Sequence, residues 1–423
     1  VICETEVAII GAGPYGLSIA AHLRGAGIPF AIFGRPMENW AEHMPAGMHL
    51  KSDGFASHLY DPKREYTLKQ HCALNNIPYT DLGTPVSLEL FVDYGRAFQK
   101  KLVPSLQEVR VTKVSRTQGV FELELANGKQ LRAKRVVIAT GLNDVEYIPE
   151  VLKALPATLR SHSAKIADVT VFRRKQIVVL GAGASATDVA GLAQQAGASV
   201  TIVSREAPIF HAPPSSKPRS LWTRIKAPNL GLGPNLRSSL CVALPDFFRQ
   251  LPVRLRVGVV KRHLGPSGGW FIRDLVVGKV AQHRGSIQRA EVRGQQVGLT
   301  IQSADGKTTD LLADHVVAGT GYRYEVAKAP FLDDKIKAAV TVEAGYPALT
   351  RNFESSVPGL YFVGLPAAHT FGPVQRFALG ARFAASRITS HLVRRGAALV
   401  GGGKIRSPDD TIWRAENIDD VGT

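Results

Sequence analysis

Val7-Ala8-Ile9-Ile10 and Ile177-Val178-Val179-Leu180 are unbroken apolar runs. Neither alternates with polar positions, so both predict strands buried on two faces, the habit of parallel sheets. From Pro14 to Ala26 the spacing becomes helical through Leu17, Ala20, Ala21 and Leu23, and stops at Gly25 and Gly27. Residues 29–33, PFAIF, predict the next strand, and the same grammar repeats from Gln176 to Val203. Two β-α-β units of the dinucleotide-binding kind are therefore expected. Residues 107–139 predict a meander of strands, with a hairpin turn at Ala126-Asn127-Gly128. Residues 297–321 predict another hairpin, turning at Asp305-Gly306, and 359–364 the last strand, followed by a helix from about Pro373 to Arg394. Two stretches lack any period. Residues 34–62 form a loop long enough to be functional. Residues 211–236, punctuated by proline and glycine, read as an excursion from the second unit, and the tail 400–423 as loosely ordered.

Composition narrows the class. With 423 residues, 45% hydrophobic and 21% charged, the chain describes a soluble globular protein of two or more domains. No apolar stretch approaches the roughly 20 residues of a membrane span. Residues 1–30 lack the cationic start, apolar core and cleavage site of a secretory signal, because the first strand flows into a glycine loop. Cys3, Cys72 and Cys241 are far apart and make no C-x-x-C pair, which argues against a disulfide scaffold, a zinc knuckle or a dithiol centre. A reducing cytoplasm is the expectation. The net charge of +17 can attract nucleic acid, anionic lipid or anionic small molecules. Its cations are dispersed and no nucleic-acid-binding signature accompanies them. Neither a nucleic acid nor a membrane is expected as a partner; a homo-oligomer stays open.

The chemistry lies in the glycine loops. In G-x-G-x-x-G the first glycine permits a tight turn, the second lets backbone approach a pyrophosphate, and the third lets helix and strand pack closely. Gly11, Gly13 and Gly16 fill these places once; Gly181, Gly183 and Ala186 fill them again, with alanine a permitted variant at the third. After the second strand of such a unit an acid holds ribose hydroxyls, whereas a base tolerates a 2′-phosphate. Ser204-Arg205 stands there in the second unit and favours NADPH. Gly34-Arg35 stands there in the first, leaving Glu38 or a backbone amide to serve the ribose.

With Ala139-Thr140-Gly141 closing one strand, "AGTGY" at 318–322 and the late "GLYFVG" strand leading to "FGPVQRFALGARFAA", the chain resembles the class B, two-dinucleotide flavin monooxygenases. Its nearest likeness is to the lysine/ornithine N-hydroxylase-like and flavin-containing monooxygenase branch. The resemblance implies an α/β fold of glutathione-reductase-like topology, with two Rossmann-like domains. An FAD domain would span 1–160 and 322–423, and an inserted NADPH domain 161–321 with the excursion at 211–236. The flavin set it implies is Gly11, Gly13, Pro14, Gly16, Arg35, Trp40, His49, Val111, Thr140, Gly141, Gly364, Phe371, Gly372 and Pro373. For NADPH it implies Gly181, Gly183, Ala184, Ser185, Ala186, Ser204, Arg205, Thr320 and Gly321. Trp40, His49, Lys51 and Asp53, from the long loop, are the candidates beside the reaction; no metal is implied. Gly54 falls where the amino-acid hydroxylases carry a substrate-binding lysine, so ornithine and lysine are not the expected substrates. "DHVVAGTGY" departs from those enzymes at Ala318 and Gly319. The implied activity is transfer of one atom of O2 to a small organic substrate through a C4a-(hydro)peroxyflavin. An NADPH-dependent flavin reductase or oxidase, and a non-catalytic flavoprotein binding an anionic ligand, remain the alternatives.

Overall fold

The computed structural model of the protein describes residues 3–211, 220, 222, 226–263, 265 and 267–397. Most of 212–225 and the glycine-rich tail lie outside the described residues.

Two sheets organise the chain, one mixed and one wholly parallel. In the first, β1 (Cys3–Ile10) lies between β2 (Phe30–Phe33) and β5 (Gln130–Ile138), parallel to both. The meander is completed by β3 (Val111–Thr117) and β4 (Val120–Leu125). β5 is the shared strand. Its first half pairs antiparallel with β4 through Phe121–Ala133, and its last residues, Val136 to Ile138, pair parallel with the late strand Leu360–Phe362. The apolar runs behave as their lack of alternation requires: Val7, Ala8, Ile9 and Val136 to Ile138 are fully buried, roofed by the helix Pro14–Gly25.

The second sheet runs β6 (Arg160–His162), β13 (His315–Ala318), β7 (Gln176–Leu180), β8 (Ser199–Ser204) and β9 (Ala281–Arg284), every pair parallel. Between β9 and β13 stands a three-stranded antiparallel ribbon, β10 (Ser286–Arg293), β11 (Gln296–Gln302) and β12 (Thr308–Ala313). The expected hairpin at 297–321 thus ends at Ala313, and its last segment leaves to join the parallel sheet as β13. The departure after β8 is also longer than 211–236. It continues through the helices Leu236–Ala243, Pro245–Gln250 and Val253–Arg262 before β9 returns. A short hairpin, β14 (Val342–Glu343) and β15 (Tyr346–Pro347), precedes the late strand, which is β16.

The expected helix from Pro373 is broken. A 3-10 turn covers Pro373–Arg376, and the α-helix runs Gly380–Arg394. Tyr15 causes the break by occupying the gap. Its hydroxyl donates to the carbonyls of Gln375 at 2.9 Å and Phe377 at 3.0 Å, and it leaves no room for a Cβ at Gly380.

Candidate functional site

Both glycine loops open into one cavity of about 1670 Å³. At the first loop Gly11 has φ +114°, and a Cβ on it would lie 2.3 Å from the Ala139 carbonyl oxygen. A Cβ on Gly16 would lie 1.9 Å from the Gly11 oxygen, so strand and helix touch where only glycine fits. Gly13 faces open space, with nothing within 4 Å of where its Cβ would stand. At the second loop Gly181 has φ +125°, and its Cβ would lie 2.4 Å from the Gly319 oxygen. The helices Pro14–Gly25 and Ala184–Gln195 therefore present their N-termini to the same cavity.

Of the residues expected at a flavin, Gly11, Gly13, Pro14, Arg35, Trp40, Thr140, Gly141 and Gly364 line the cavity. Gly16 lies beneath the loop. Val111 is buried in β3, and Phe371, Gly372 and Pro373 are buried in the core rather than at the cavity wall. Phe371 stacks on Phe353 at 4.1 Å, and Gly372 packs on Phe248. The break after Arg376 accounts for this: the wall is formed one turn later, by Gln375, Arg376, Phe377 and Ala378. The stretch was legible; which of its residues face the cavity was not. Gln375 Nε2 and His369 Nδ1 are buried there without a hydrogen-bond partner in the protein.

Arg35, at the end of β2, is ion-paired with Glu38 and, at 2.8 Å, with Glu42. Glu38 and Asn39 line the cavity beside it, which puts an acid at the cavity wall from five residues beyond the strand. Trp40 stands edge-on to Phe91 at 4.9 Å.

Of the residues expected at NADPH, Gly181, Gly183, Ala184, Ser185, Ser204, Arg205, Thr320 and Gly321 line the cavity, and Ala186 is buried behind the loop. The Ser204 hydroxyl donates to the Glu206 carbonyl at 2.6 Å, which leaves Arg205 exposed at the strand end. The Thr320 hydroxyl bonds the Tyr147 carbonyl, and the Arg323 guanidinium lies 3.4 Å above the Tyr147 ring. Neither Tyr147 nor Arg323 carried a signal in the sequence.

The four reaction-side candidates separate. Trp40 and Lys51 line the cavity, whereas His49 and Asp53 do not. His49 bridges to Ser87 and packs on Phe271. Asp53 begins the turn Gly54–Ala56 and accepts from Asn229 at 3.3 Å. Position 54 cannot hold a lysine in this packing, because a Cβ there would lie 2.4 Å from the Thr80 carbonyl oxygen. Lys51 Nζ instead donates to the Ser267 carbonyl and, at 3.3 Å, to its hydroxyl, which also meets His211 Nε2 at 2.9 Å. Burial depresses the Lys51 pKa; Asp188 opposes that shift and Arg376 adds to it. Asp188, in the helix that follows the second loop, is itself pushed up to about 7 by burial, against the pull of Lys51. His369 falls to about 4 through burial and the nearby Lys261, Arg256 and Arg376, so it is neutral at physiological pH. Among the described residues, no cluster of His, Cys, Asp and Glu could hold a metal ion.

A family model described as pyridine nucleotide-disulphide oxidoreductase matches residues 8–226, just over half of the chain. The chain belongs to that family. It is 30% identical over 231 residues to a trimethylamine monooxygenase of Pelagibacter ubique, covering 48% of this chain and 52% of that one. It thus spans about half the length of that curated relative. A probable indole-3-pyruvate monooxygenase of Arabidopsis thaliana is 25% identical over 341 residues, 75% of each chain. Among solved structures, an ornithine N-hydroxylase from Kutzneria superposes with TM-score 0.71 at 17% identity, over 93% of this chain and all of that one. A flavin-containing monooxygenase from Stenotrophomonas maltophilia gives 0.64 at 18%, over 94% of this chain and all of that one. These superpositions establish the two-domain α/β fold of flavin monooxygenases. Although the family is named for disulphide chemistry, Cys72 and Cys241 are free and buried, and no C-x-x-C exists in the sequence.

Proposed function

We propose that this chain is an FAD- and NADPH-dependent monooxygenase that transfers one oxygen atom from O2 to a small organic substrate. The observation that carries the reading is the single cavity into which both glycine loops open. Its volume of about 1670 Å³ exceeds the roughly 300–1,000 Å³ of a one-ligand pocket, as two dinucleotides require. The open space at Gly13 and the two helix N-termini suit pyrophosphates. Glu38 and Asn39 would hold the FAD adenosine end, and Arg205 the 2′-phosphate of NADPH. The unpartnered Gln375 Nε2 and His369 Nδ1 would meet a polar ligand edge such as the flavin ring's. Bound flavin supplies the hydride acceptor and the site of oxygen activation. The protein's part is to hold both cofactors together and keep water out. The relatives' activities, both monooxygenations, support the same reading.

The substrate side contains Lys51, Lys261 and Arg376. Position 54 is closed to a side chain and Lys51 is already bonded to Ser267, so neither position supplies the clamp for a free amino acid's carboxylate. Purified protein reconstituted with FAD should consume NADPH and O2 in equal amounts with a suitable substrate and give a product heavier by one oxygen. Free ornithine and lysine should be poor substrates. Stoichiometric peroxide with every compound in an amine, sulfide, ketone and heterocycle panel would replace this reading by an oxidase. A protein that takes up no FAD would end it.

A further inference from the structure

Between β8 and β9 the described segment 226–262 carries seven Lys or Arg residues, of which Arg256 is buried and paired with Glu343, against one acid, Asp246. The same segment gathers exposed apolar side chains. Of the fifteen large hydrophobic residues exposed among the described residues, six lie within 236–255. Leu236, Leu240 and Leu244 are 54%, 49% and 47% exposed, and Phe247 is 59% exposed. At 3.6 residues per turn the three leucines fall within about 80° of one another, with Arg237 at their border. Ser238, Ser239, Cys241 and Val242 take the opposite, buried side. Phe247 is exposed on the next short helix, Pro245–Gln250, while Phe248 turns inward onto Val260 and Ala368. Arg254 and Leu255 of the next helix are exposed as well. Scattered single leucines need no explanation; a contiguous apolar ridge bordered by cations does.

We propose that this helical face docks on an anionic lipid bilayer surface, its leucines and Phe247 entering the acyl boundary and its arginines meeting headgroup phosphates. Apolar and cationic side chains sharing one helical surface are what such an interface selects. A second copy of the chain fits less well, since this face offers its cations no free acid: Asp246, the one acid of the segment, is paired with Arg387. A nucleic acid would engage the cations and leave the leucines in water. Among the described residues no helix is long and apolar enough to cross a membrane, so the contact is peripheral. Val257, Val260 and Lys261 of the helix Val253–Arg262 line the cavity, so the docked face would back directly onto it. The inference rests on the surface alone and stands apart from the proposed reaction.

Flotation of the full chain with lipid vesicles tests it. The protein should float with phosphatidylcholine vesicles containing phosphatidylglycerol and stay behind with phosphatidylcholine alone. Leu240→Glu with Phe247→Glu should lower the partition about tenfold or more. Leu74→Glu with Leu312→Glu, on exposed leucines elsewhere, should leave it unchanged, and near-UV circular dichroism confirms that both variants fold. No flotation, or equal flotation by the Leu240/Phe247 variant, overturns the proposal. So does sedimentation of the unmutated chain as a dimer that this variant splits, which gives the face to a second copy. Binding to poly(U) in preference to anionic vesicles gives it to nucleic acid and is equally fatal.

Discussion

Gly319 has no room for a side chain, because a Cβ there would lie 2.6 Å from the Ala186 Cβ. The first dinucleotide unit carries the same two residue types the other way round. There the helix residue is Gly16, the strand-end residue is Ala139, and Gly11 abuts Ala139 as Gly181 abuts Gly319. One methyl group has moved from strand end to helix between the two copies. In the sequence Ala186 and Gly319 are unrelated departures from pattern, 133 positions apart; only the contact joins them. Gly319→Ala should cost about 1–3 kcal/mol by overpacking, and Ala186→Gly should cost up to about 1 kcal/mol as a helix residue. The double variant should recover most of the first loss. Denaturant unfolding of the four proteins measures the coupling, and strictly additive losses would dissociate the pair. At this scale the sequence was most often misleading about side chains in loops. His49, Asp53, Phe371 and Pro373 have suitable chemistry but point away from the cavity, whereas Tyr15 and Gln375, which carried no signal, form its wall.

The elements were legible because their causes are local. Unbroken apolar runs became two-face-buried strands, and asparagine–glycine and aspartate–glycine pairs became hairpin turns. The late helix was misjudged because its break is imposed by the Tyr15 hydroxyl, more than 350 residues away in sequence. Strand pairing also recruits charge. Glu6 on β1 is buried and accepts from Lys134 at 2.5 Å and Arg135 at 2.7 Å, both on β5. Burial alone would raise its pKa, but the two cations hold the carboxyl below the usual range. A lowered carboxylate pKa stabilises the fold above the usual carboxylate range, and the contribution is lost as pH falls through it. Glu6→Gln should therefore destabilise the protein at neutral pH by about 1–3 kcal/mol. The gap to the parent should narrow between neutral and strongly acidic pH, as pH falls through the lowered pKa of Glu6. Chemical denaturation at both pH values checks this, and an undiminished gap in acid would assign the loss to packing.

Across the whole molecule the two sheets matter for what lies between them. Neither glycine loop alone makes the cavity; β5 and β13 must bring Thr140 and Thr320 to its edges, and β16 must return to the first sheet to add Gly364. The proposed NADPH cradle predicts a selective ligand effect on global stability. At about a hundredfold over its Kd, NADP+ should add roughly 2.7 kcal/mol to the FAD-loaded protein. NAD+ should add less at the same concentration, and Arg205→Ala should erase the difference. Thermal melts read all four combinations, and equal shifts by the two nucleotides in the unmutated protein would remove Arg205 from the cradle. The sequence by itself determined the two β-α-β units, their glycine turns and the strand-end residues Arg35 and Arg205, since apolar period and φ > 0 requirements act within a few residues. Tertiary structure alone decided which loop side chains reach the cavity, that Glu38 lies at its wall, and that position 54 is closed by Thr80. It also decided that Lys51 and Asp188 share one electrostatic environment across the two sheets. Each of these depends on distances between segments far apart in the chain, and side-chain pattern along a strand or helix carries no information about them.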